Sequence, residues 1–277
     1  MNRWTQSILS AAALAAPLLA VSTPAQAGIG DLLVAPTRVV LDGRKGAEII
    51  LNNIGEEPAT YRVSIEWRRM TEDGGLVDVE NPTADDQKAA DMVVYAPRKV
   101  VLAPHSPQAI RVRAIPPAGI ADGEYRVHLL FRAIPPSNPV VQPAAAVQEE
   151  KGLKFQLTPV YGVTIPVIVR LGNLQAAAEI KNVRLDHKDG KSLVDMDISR
   201  SGQRSTFGEI RVFKAGVKNP IAFQKAVAIY TEIGVRHVSL PLDDAYKAAG
   251  PGEVTVQYVE TYDDGSNVLA ETKAVLR

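Results

Sequence analysis

Metal or nucleophilic chemistry has little to work with in this 277-residue chain, which carries four histidines and no cysteine. His105, His128, His187 and His237 are scattered, and none is spaced with another histidine or a carboxylate as metal ligands are. They read as surface or satisfied core residues. Thiol catalysis and thiolate zinc sites are excluded by composition. The acidic pairs Asp85-Asp86, Asp243-Asp244 and Asp263-Asp264 lack the spacing of a calcium loop. A Gly-rich phosphate loop, a nucleophile elbow and a kinase signature are all missing, and nothing nominates a Ser/His/Asp triad. The reading is a protein that is not an enzyme and takes no cofactor or metal. Lys and Arg number 31, as do Asp and Glu, so bulk charge favours neither nucleic acid nor an anionic membrane. The segment with the most to offer is apolar. Leu153, Phe155 and Leu157 alternate with Lys154, Gln156 and Thr158, so the first three share one face of an extended strand.

The elements that must position such a strand are themselves strands. Tyr61, Val63, Ile65 and Trp67 alternate with Arg62, Ser64 and Glu66, and period-two segments recur along the chain. Trp67 reads as core, and Arg68 and Arg69 as an exposed strand end. Turn chemistry separates the segments at Asp42-Gly43, Asp73-Gly74-Gly75, Asp122-Gly123, Asp189-Gly190 and Asp264-Gly265. Long amphipathic helical patterns are absent; Ala84–Ala90 predicts a short helical turn at most. Many short strands between regular turns predict β-sandwiches. The apolar run Ile8–Val21, followed by small residues up to Ala27, reads as a cleaved signal peptide over 1–27. No later stretch is apolar enough to span a bilayer, so membrane insertion is not expected. Two domains of ordinary size follow, 28–172 and 173–277, with Leu171-Gly172-Asn173 as the hinge.

Residues Ser137–Lys151 are rich in Pro and Ala and read as a long loop. The strand-like run beyond it contains Pro159 and Pro166. Proline cannot donate to a ladder, which places this strand at a sheet edge or at a bulge. For Leu153, Phe155 and Leu157 the residues alone also allow an ordinary buried strand. An apolar strand at an edge is an aggregation hazard unless another chain pairs with it.

Three patches resemble the PapD-like pilus chaperones: Thr37-Arg38-Val39-Val40-Leu41-Asp42-Gly43, Glu124 through Arg132-Ala133-Ile134-Pro135-Pro136, and Ile165–Arg170. The resemblance implies two immunoglobulin-like β-sandwich domains in an L-shaped, all-β arrangement. It implies a periplasmic chaperone that completes pilin-like subunits by donor-strand complementation and delivers them to an outer-membrane usher. By position, Leu153, Phe155 and Leu157 are then the donor residues, with Tyr161 and Val163 continuing their parity. Arg38 anchors the subunit's terminal carboxylate. Glu124, Arg170 and Asp263 (or Asp264) form an interdomain charge network. One departure stands out: where the family has a cleft lysine, this chain has Pro166. Either another basic residue, such as Arg68, Lys99 or Arg111, reaches the cleft, or the anchoring mode differs. Self-association of the free protein through the seventh-strand edge is a further expectation. The rival reading is a secreted two-domain binding module, an adhesin or a glycan binder, which predicts aromatics grouped on loops.

Overall fold

A computed structural model of the chain describes residues 31–135, 160–243, 246, 250–262 and 265–277. Two β-sandwiches of immunoglobulin type make up the molecule. The first is built from β1 (Leu32–Ala35), β2 (Val39–Leu41), β3 (Ala47–Asn53), β4 (Ala59–Glu66), β5 (Arg68–Met70), β6 (Leu76–Asp78), α1 (Ala84–Met92), β7 (Val93–Ala96), β8 (Lys99–Leu102), β9 (Pro107–Ala114), β10 (Gly123–Ile134) and β11 (Gly162–Leu171). One sheet has the order β1-β3-β9-β7 and the other β2-β11-β10-β4-β8, with β5-β6 as a separate ribbon. The second is built from β12 (Ala176–Lys188), β13 (Lys191–Gly202), β14 (Thr206–Lys214), β15 (Ala222–Ile229), β16 (Val235–Pro241), β17 (Gly252–Tyr262) and β18 (Gly265–Leu276). Its sheets run β12-β13-β16 and β15-β14-β17-β18.

Period two explains the layering. On β9, Ile110, Val112 and Ala114 are buried while Arg111 and Arg113 face water. Each sandwich has its own apolar core. The turn between β12 and β13 places Asp189 and Gly190 at φ 52° and 73°, which matches the twist of a two-residue hairpin.

Two sequence expectations need correction. The stretch Ala84–Ala90 belongs to a full helix, Ala84–Met92. Thr83 caps it and Asp86 answers from the third position, so each satisfies the other's backbone N–H. Ala89 and Met92 then bury one side. Arg69 is not a free strand end either. Its guanidinium donates to both carboxylate oxygens of Asp86, at 2.7 and 2.6 Å. Burial alone would raise the Asp86 carboxyl, but the bonds from Arg69 and Thr83 hold it below the usual carboxylate range.

Candidate functional site

The site begins with β11. It pairs antiparallel with β10 along its whole length and parallel with β2 only at Val167–Val169. The edge before Val167 therefore has no partner strand among the described residues. Ladder parity tells which backbone groups face that edge. The Ala133 N–H donates to the Tyr161 carbonyl at 2.9 Å, so the odd residues of β11 bond to β10. Gly162, Thr164 and Pro166 point their backbone groups the other way. Pro166 thus leaves the β10 ladder intact, and its missing N–H falls on the free edge.

Register also fixes what stands beside the edge. Val39 lies level with Val167 in the parallel pair, so one step back Arg38 lies level with Pro166. On the outer face of this sheet the row reads Arg38, Pro166, His128, Glu66 from strand to strand. The Arg38 guanidinium sits 4.5 Å from the ring centre of Phe207, a β14 residue of the second sandwich. Its Nη1 is buried without a hydrogen-bond partner among the described residues. Burial pulls the guanidinium below its ordinary value, but an arginine stays charged. A cation with an unfilled donor at the end of an unpaired edge can donate to a carboxylate.

The second sandwich is locked against this face. Arg170 Nε donates to Glu124 Oε2 at 2.9 Å, and Arg170 Nη2 to the Ser205 carbonyl at 2.9 Å. The Ser205 N–H closes the triangle on the same Glu124 oxygen at 2.9 Å. Asp263 lies outside the described residues. A second lock comes from Arg126, which forks onto Glu232 at 2.5 and 3.0 Å and stacks 3.7 Å above the Tyr230 ring. Burial would raise the Glu232 carboxyl, yet Arg126 and the Met70 N–H hold it below the usual range. The β5-β6 ribbon forms a third lock. Met70 is buried within the second sandwich's apolar cluster, together with Ile168 of β11. The His237 N–H donates to the Glu72 carbonyl at 2.6 Å. Gly74, at φ +84°, passes so close to the Arg236 guanidinium that a side chain there would collide with it.

His128 was expected to be a surface or satisfied residue, and it is neither. It is 1% exposed, both ring nitrogens lack partners among the described residues, and Tyr230 covers it edge-on. Burial first, then Arg126 and Arg68, pushes its pKa down to about 3, so it is a neutral imidazole. A lone histidine on an otherwise ordinary alternating strand carries no local signal of this.

Of the named replacements for the cleft lysine, Arg68 lies beside β11, where it shares Glu66 Oε1 with the Thr164 hydroxyl, and the other two fall elsewhere. Arg68 is held by Glu66 at 2.7 Å and Asp78 at 3.2 Å. Arg111 lies on the other sheet, 3.2 Å from Glu48. Lys99 stands level with Arg62, at the far end of the sheet from Arg38. Of the apolar series, Leu153, Phe155 and Leu157 lie outside the described residues. Tyr161 is 56% exposed, whereas Val163 packs against the first sandwich's own core. Trp67 packs on the same core and donates its indole N–H to the Asp86 carbonyl at 3.0 Å.

No family model matches the sequence, and no curated protein matches it. Solved structures do. The chain is similar to the YadV chaperone at 12% identity, over 89% of this chain and 100% of that one, with a TM-score of 0.47. It is similar to the CupB2 chaperone of Pseudomonas aeruginosa at 11% identity, over 88% and 100%, TM-score 0.47. A third likeness is to the complex of the SafA pilin with the SafB chaperone from Salmonella enterica, at 14% identity over 90% and 98%, TM-score 0.44.

Proposed function

We propose that this protein is a periplasmic chaperone for pilin-like subunits, holding a subunit by strand pairing along the free edge of β11. The observation that carries the proposal is the unpaired edge ending level with an unsatisfied, buried-side arginine, Arg38. A subunit whose own sandwich lacks a strand supplies a terminal strand to that edge. Its carboxylate is received by Arg38, and this fixes the register of the pairing. Since Arg38 marks the cleft end of β11, a strand ending there runs parallel to β11. Leu153, Phe155, Leu157 and Tyr161 share the parity that fills the subunit's groove, each contributing about 1.5–3 kcal/mol when fully buried. Glu124, Arg170 and Ser205 keep Phe207 behind the Arg38 guanidinium. Delivery to an outer-membrane usher completes the role, and the residues up to Ala27 serve as the export signal.

The test is recovery of the tagged mature protein from the periplasm, with mass spectrometry of what co-purifies. Wild type is compared with Arg38→Ala and Phe155→Asp. One small β-sandwich partner, lost in both variants, is the expected result. Absence of any such partner while surface structures are being made contradicts the proposal.

A further inference from the structure

The outer face of the β11 sheet carries a second row, at the opposite end from Arg38. Register places Lys99, Arg62, Arg132 and Gly162 side by side on β8, β4, β10 and β11. The three cations are exposed, and none has an acidic partner among the described residues. Like charges directly opposite on neighbouring strands repel, so the row is unfavourable for the sheet by itself. Arg62 and Arg132 also flank a cavity of about 340 Å³ whose remaining walls are Ala133, Ile134, Pro135 and Val160. Beyond Arg132 comes Gly162, over which the Leu130 side chain leans, its Cδ1 2.9 Å from where a Cβ would stand, and beyond Gly162 comes the free edge. Neighbouring strands lie about 4.8 Å apart, so an added strand runs about 10 Å from Arg132, within the joint reach of an arginine and an acidic side chain. Residues level with one another on paired strands point to the same face.

We infer that the subunit strand carries an aspartate or glutamate level with Gly162, read across that glycine by Arg132 and Arg62. The inference rests on the strand-pairing reading above. The Arg38 backbone fills the place level with Pro166, so the last residue of a strand parallel to β11 stands level with Thr164, and the acidic residue two positions before it. The site thus reads two negative charges about 7 Å apart at about 3.3 Å per residue. Arg38 takes the terminal carboxylate and the cationic row takes the side chain. The spacing between them sets both partner choice and register.

The experiment titrates the full mature protein with fluorescein-labelled twelve-residue peptides, followed by polarisation. The peptides alternate apolar and neutral polar residues, end in a free carboxylate, and carry Glu, Gln or Lys two positions before the last residue. In wild type the Glu peptide is expected to bind about tenfold more tightly than the Gln peptide, and the Lys peptide most weakly. The gap shrinks at high salt, as a solvent-facing ion pair requires. In the exposed double variant Arg62→Gln/Arg132→Gln, checked for an unchanged fold by circular dichroism, the Glu and Gln peptides bind equally. Equal binding of both in wild type overturns the inference and leaves strand pairing standing. Amidating the terminus tests Arg38 separately, and the expected result is weaker binding of every peptide. Failure of all the peptides to bind overturns the strand-pairing reading and the inference with it.

Discussion

His128 is a neutral imidazole sealed between the sandwiches, with Arg126, Arg68 and Glu232 as the charges around it. Because its folded pKa, about 3, lies below the unfolded value, the unfolded chain binds the proton first. The folded state is therefore unpenalised above pH 6.5 and loses stability as pH falls from there toward 3. Asp86 and Glu232, also held below their ordinary values, add their own losses only below about pH 4.5. His237 is raised by Asp197, so its contribution is complete in acid and fades only as pH rises. Between pH 6.5 and 5 the decline thus belongs to His128, with a limit on the order of a few kcal/mol by pH 3. His128→Phe keeps the edge-on contact with Tyr230 and removes two unpaired buried nitrogens. Thermal melts should show it no less stable than wild type at pH 7 and flatter between pH 6.5 and 5. A lower melting temperature with an unchanged acid slope would contradict this. Arg38 has the opposite character, a cation left open rather than a base kept neutral.

At the scale of elements, β11 does two things at once. Its odd residues hold β10 and the core, and its even residues before Pro166 turn their backbone groups to the edge. Pro166→Ala restores an N–H on that edge without touching the β10 ladder. The expected outcome is a loss of only about 0.4–1 kcal/mol, from greater freedom of the unfolded chain, together with more self-association on sedimentation. A loss of several kcal/mol would mean that Pro166 faces β10. Helix α1 offers a simpler test. Thr83→Ala removes the cap and should cost about 0.5–2 kcal/mol in denaturant melts, with the Arg69–Asp86 pair kept. Much of this was legible beforehand. Period two located the strands, and Pro159 and Pro166 pointed to an edge or a bulge, which fits the first half of β11, where β10 alone pairs with it among the described residues, but not Val167–Val169, where β2 covers it. The helix was missed although Thr83-x-x-Asp86 announces a reciprocal cap. Turn chemistry at Asp73-Gly74-Gly75 identified the β5-β6 turn, but not its docking. That docking depends on Met70 meeting a core formed by residues more than a hundred positions away. His128 and Arg126 were illegible for the same reason, since Tyr230 and Glu232 come from the other sandwich.

For the molecule as a whole, the expectation is that the two sandwiches unfold as one body. Arg126 with Glu232, Arg170 with Glu124 and Ser205, and Met70 in the second core all cross the junction. Calorimetry should show a single cooperative transition. Arg126→Ala leaves Glu232 partly buried without its main partner and should cost about 3–5 kcal/mol of coupling, splitting the transition in two. Two transitions in wild type would show that the junction is weak. On the proposed function, this junction holds Phe207 behind Arg38, so that the arginine marks a fixed end for an incoming strand. The most direct test of that account is amide hydrogen exchange along β11, with and without the co-purifying subunit. In the free protein Gly162 and Thr164 should exchange quickly and Val163 and Ile165 slowly. On binding, the Gly162 and Thr164 amides should gain at least about 100-fold protection, the change expected when an open amide enters a strand ladder. A bound subunit that leaves these two amides unprotected would contradict the account.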